Sequence, residues 1–120
     1  MGLFLGKRRI VFYLFLFLSL GVAVSCQDMR HQVERQIQYQ QANKAHNEGD
    51  FVKAIRIYKK LIKEDPANEL FVYDLGMAYL DSKDFDAAKE QVKRLKEMKR
   101  EDLADELSDF RGEAISRDVK

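Results

Sequence analysis

The chain has 120 residues, 46% hydrophobic and 34% charged, with a formal net charge of +1, which bounds it to about one small domain. Its 21 basic and 20 acidic residues leave no basic stripe interleaved with aromatics, so the electrostatic footprint of a nucleic-acid binder is missing. A single cysteine excludes an intrachain disulfide.

Residues 1–25 carry Lys7, Arg8 and Arg9 and no acid, then run apolar from Ile10 to Val24. That run falls short of the ~20 residues a spanning helix needs. It ends in the small residues Ala23-Val24-Ser25, directly before Cys26. These are features of a cleaved export signal rather than of a folded element. Arg8-Arg9 suggests twin-arginine export, but the phenylalanine-rich run behind it favours the general route. The stretch Val22-Ala23-Val24-Ser25-Cys26 resembles the end of a bacterial lipoprotein signal. It matches at Ser25 and Cys26, is acceptable at Val24 and departs at Ala23, where leucine is usual. The resemblance implies removal of residues 1–25 and a covalent lipid on Cys26 as the membrane anchor, in the cell envelope. Gln27, rather than an aspartate, after Cys26 implies an outer-membrane destination where the cell has one. An ordinary cleavage site followed by a chance cysteine, and an uncleaved anchor, are the competing readings. Loss of residues 1–25 would remove three positive charges and no negative one, taking the net charge from +1 to −2.

From Gln27 to Asn47 there is no Gly or Pro, and a helix is predicted at least from Val33, with Val33, Ile37, Ala42 and Ala45 as sparse apolar positions. Residues 26–34 read as a solvated tether, too poor in apolar residues to demand burial. Gly49-Asp50 ends this helix and caps the next. There Ala54, Ile55, Tyr58, Leu61 and Ile62 recur at helical spacing, with Lys53, Lys59, Lys60 and Lys63 on the other side. Asp65-Pro66 stops the second helix, and Asn68 is the expected cap of the third.

The third helix, Leu70 to Leu80, is apolar on two faces. Val72, Leu75, Gly76 and Tyr79 form one stripe; Leu70, Tyr73, Met77 and Leu80 form another, and only Asp74 interrupts. A helix wet on one side does not need both, so neighbours are expected on two sides. A fourth helix is predicted from the Asp84 cap to Lys99, turning Phe85, Ala88, Val92, Leu95 and Met98 inward. A final segment puts Leu103, Leu107, Phe110 and Ala114 on one stripe, with Gly112 expected to weaken its end.

Gly49-Asp50-Phe51-Val52-Lys53-Ala54 returns thirty-four positions later as Lys83-Asp84-Phe85-Asp86-Ala87-Ala88, a period typical of repeat architectures. On these residues the chain resembles the tetratricopeptide repeats, helix-turn-helix units that stack into a superhelix. The second unit carries Leu75, Gly76, Tyr79, Phe85, Ala88 and Leu95, with Val72 where the family often has Trp and Val92 where it usually has Phe. The first unit matches through Gly49, Phe51, Ala54, Tyr58, Leu61 and Pro66. It departs in its first helix, where Gln38, Gln41, Ala42 and Ala45 replace the usual residues. The resemblance implies an all-α fold, a short α-solenoid of two hairpins over residues 35–100, followed by a capping helix and tail over 101–120. Two repeats are fewer than the three or so that usually stand alone, so another element or a second subunit must cover the ends.

No catalytic set is legible. His31 and His46 are far apart, no glycine-rich phosphate loop is present, and no serine sits in a nucleophile elbow. Asp81, Asp84 and Asp86 lack the glycine and terminal glutamate of a calcium loop. The resemblance implies a groove lined by the first helix of each hairpin, here Gln36, Tyr39, Asn43 and His46 beside Leu70, Tyr73, Met77 and Leu80. Of the basic and amide clamp with which chaperone-binding relatives hold a peptide carboxylate, only Asn43 is present. An apolar, aromatic face suits an amphipathic helix or apolar peptide as protein partner. Alternatively the last helix, through Leu103, Leu107 and Phe110, fills part of it. The expectation is a non-enzymatic, membrane-tethered interaction module with no metal and no cofactor beyond the lipid. A self-associating structural lipoprotein is the second reading.

Overall fold

A computed structural model describes the chain from Gly2 to Lys120, except for the side chains of residues 2–6, 8 and 19–25. The signal motif expected at residues 22–25 lies outside the described side chains. The described residues form five helices and no strand: α1 (Gly2–Asn47), α2 (Phe51–Glu64), α3 (Glu69–Asp81), α4 (Phe85–Glu97) and α5 (Glu101–Asp118). The fold is all-α and solenoid-like. Contacts divide the chain into two units, Met1–Gln36 and Ile37–Lys120.

In the first unit the described part of the apolar run, Ile10 to Leu18, is exposed, and so are residues 26–34, including the free thiol of Cys26. The helix assigned here begins well before Val33, where a helix was first expected. Gln, Arg and Glu are good helix formers that need no burial to adopt it. Among the described residues, no helix is long and apolar enough to cross a membrane.

In the second unit, recurring punctuation builds two hairpins. Gly49 and Lys83 both take left-handed backbone, with φ of 81° and 64°. Each is followed by an aspartate whose carboxylate accepts from a backbone N–H of the next helix: Asp50 from Lys53 and Asp84 from Ala87, both at 3.1 Å. Such caps satisfy amides that the first turn leaves without partners, each worth ~1 kcal/mol. Asn68 caps α3 by accepting from the Leu70 amide at 3.2 Å. Helix α4 ends at Glu97, short of the expected Lys99, because Lys99 itself turns left-handed at φ 59°.

Helix α3 is the centre, packed by α2 and α4 and also by α5. Its stripe of Val72, Leu75, Gly76 and Tyr79 is buried, joined by Phe71 and Ala78. Tyr58, Leu61, Val72, Leu95 and Leu107 are the largest fully buried side chains, each contributing ~1.5–3 kcal/mol on burial. Helix α5 belongs to this core through Ala104 and Leu107. It also passes through Gly112, the residue expected to weaken its end, and continues to Asp118. A mid-helix glycine costs only ~1 kcal/mol, and half-buried Ala114 and Ile115 lie beyond it. The Arg100 guanidinium holds the start of α5 to α3 through Glu69, and bonds Asp102 at 2.9 and 3.0 Å.

Candidate functional site

Polar contacts place α1, from Ile37 onward, beside α3, and α3 beside α5. The Tyr39 hydroxyl donates to Asp74 at 2.6 Å, and His46 Nε2 lies 2.6 Å from Asp81 Oδ2. Further along, Tyr73 donates to Glu106 at 2.9 Å and Lys83 Nζ to Asp118 at 2.6 Å. The first helices of the two hairpins and α5 therefore share one face, and α5 stands where the first helix of a third hairpin would.

The expected site residues divide on that face. Tyr39, Asn43 and His46 form the seam between α1, α2 and α3. Asn43 Oδ1 accepts from the Tyr58 hydroxyl at 2.5 Å, so the one amide shared with a carboxylate clamp is committed to structure. The Tyr39 ring meets Phe71 at 5.3 Å between centroids and Tyr58 at 6.4 Å; His46 meets Phe51 edge-on at 5.7 Å. Burial raises the Tyr39 and Tyr58 phenols above their ordinary range, and at Tyr39 the bond to Asp74 adds to it. Burial also raises the Asp74 carboxyl, against the opposing pull of the Tyr39 hydrogen bond. The one charged residue in the apolar α3 run thus serves as the acceptor that satisfies a part-buried tyrosine.

Leu70, Tyr73, Met77 and Leu80 do not form one open stripe. Leu70 is 52% exposed, whereas Leu80 is only 5% exposed and belongs to the core. Tyr73 is half-buried, and its phenol is pushed up to about 12, by burial first and then by the hydrogen bond to Glu106. Met77 is half-buried at the edge of a recess of about 350 Å³. Its apolar lining is Met77, Leu80, Phe85, Phe110 and Ala114, and its charged rim is Asp81, Lys83, Arg117 and Asp118. Phe110 is 38% exposed there.

Helix α5 therefore does both things the sequence left open. Leu107 and Ala104 enter the core, while Phe110 and Ala114 wall a recess that α3 alone would lack. Phe110, Ala114 and the rim residues were not among the expected site residues. The usable signal was the spacing of Arg100 from Pro66, one repeat length, which marks α5 as a first helix rather than a plain cap. Among the described residues no group of three or more His, Cys, Asp or Glu side chains is placed to hold a metal ion.

No curated protein sequence shows significant similarity to the chain. The family model described as tetratricopeptide repeat matches residues 45–106, from the last turn of the first-hairpin helix α1 into α5, which is more than half of the chain. With the capped hairpins and the side-by-side first helices, the chain belongs to the tetratricopeptide repeat family, whose repeats mediate protein–protein interaction.

Proposed function

We propose that this protein is a membrane-tethered adaptor of the bacterial cell envelope, anchored by a lipid on Cys26 and binding a protein partner on the face shared by α3 and α5. The observation that carries the binding part is the recess walled by Phe110 and Met77, with the exposed Leu70 at the opposite end of α3. Its apolar floor and charged rim suit an amphipathic helix, whose apolar side chains would enter the recess while its polar ones meet Lys83, Arg117 and the nearby carboxylates. Support for the tether is the basic start, the apolar run and the exposed Cys26 thiol behind small residues.

Co-isolation of tagged full-length protein from its own membranes tests the reading. A partner captured by the wild type should be depleted at least about tenfold by Phe110→Ala together with Leu70→Glu, as for loss of an aromatic anchor. Undiminished capture by a folded double variant contradicts binding on this face.

A further inference from the structure

We infer that the groove between α2 and α4 is a second docking surface, and that it takes an acidic peptide segment of a partner protein. Leu75 and Tyr79 leave α3 on the side roughly opposite Tyr73 and Met77, so this surface is separate from the recess beside α5 and does not depend on it. The groove encloses about 460 Å³. Its floor is core: Ile62, Leu75 and Tyr79 are buried, and Pro66 adds to its lining.

Three cations edge this apolar floor: Lys59 and Lys63 from α2 and Arg94 from α4. Among the described residues none of them has an ion-pair partner, although the adjacent Lys60 lies 3.8 Å from Glu64. Lys59 Nζ instead sits 5.8 Å from the centre of the Tyr79 ring. Helix α2 contributes five cations, Lys53, Arg56, Lys59, Lys60 and Lys63, against the single acid Glu64. Unpaired like charges around one recess repel one another and favour an anionic occupant.

Depth separates a peptide from a flat anionic surface. A peptide brings carboxylates to the cationic edge together with an apolar side chain for the buried floor of Ile62, Leu75 and Tyr79. A flat anionic lipid surface would meet the lysines but would leave that recessed apolar floor uncovered.

The test is fluorescence anisotropy of a labelled peptide of alternating glutamate and leucine, titrated with the full chain. Saturable binding is expected, weakening as salt is raised. It should fall at least about tenfold in Lys59→Glu/Lys63→Glu. Both positions are exposed, and circular dichroism should show the fold retained. Lys89→Ala, at an exposed α4 position outside the lining of both recesses, should bind the peptide as the wild type does. Equal affinity of the double variant, or equal binding of a lysine–leucine peptide, overturns the inference. So does a chain that ignores the acidic peptide but binds phosphatidylglycerol vesicles in a manner lost in the same double variant.

Discussion

Gly76 on α3 and Leu107 on α5 share a space that admits only one side chain. A Cβ on Gly76 would overlap the Leu107 methyl groups, with Cδ1 at 3.1 Å, and would press the Gln91 Cβ at 3.3 Å. Leu107 is fully buried, so turning its methyl groups away from a new side chain means repacking the core around them. The glycine costs α3 some helix propensity, and close approach of a third first-type helix is what that cost allows.

Gly76→Leu is therefore expected to destabilise by ~1–3 kcal/mol through overpacking, although leucine is the better helix former. Leu107→Ala is expected to cost ~2–5 kcal/mol as a cavity. Combined, the two changes should cost less than their sum, because the new side chain enters the vacated volume. Thermal melts of the four proteins decide it, and strict additivity would show that the residues do not compete for space.

The α3 glycine and its two-sided burial were readable because a helix with two apolar stripes has few ways to hide both. The turns were readable for the same kind of reason: Gly49-Asp50 and Asp84 carry their chemistry locally. The groove was less so. Tyr39 and Asn43 are expected from the sequence to line the groove, yet their side chains bond Asp74 and Tyr58 of other helices. Leu80 was assigned to the open stripe because helical spacing gives direction on one helix but not which neighbour covers it. Lys83 in left-handed backbone, where the first repeat has Gly49, left no residue-type signal.

The tyrosines set an alkaline limit. The folded state holds the Tyr39, Tyr58 and Tyr73 phenols above the ordinary value of 10.0. Above that value the unfolded chain loses protons that the folded chain retains, so unfolding is progressively favoured. This contribution is present in full below the unfolded value and is lost as pH rises through the folded one, about 12 for Tyr73. Melting temperature is expected to fall steadily above about pH 10, and less steeply in Tyr58→Phe. A melting temperature that stays flat up to about pH 11.5 would contradict the burial assigned to these rings.

Under the proposed tether, Cys26→Ser should abolish acylation. The product would be either an unprocessed precursor or a form released when membranes are washed. Mass spectrometry of the wild-type mature protein is the direct measurement. An N-terminus at Cys26 bearing no acyl mass would rule the anchor out while leaving the repeat packing untouched.

The central claim, that the α3–α5 face binds a protein, is tested most directly by site-specific photo-cross-linking in intact cells. A photoreactive phenylalanine analogue is placed at Phe110, at Leu70, and at the exposed α4 position Lys89 as control. The account predicts a discrete protein adduct from Phe110 and Leu70 and none from Lys89. Adducts of equal yield at all three positions, or none at Phe110 and Leu70 in cells where the protein is folded and abundant, would contradict it.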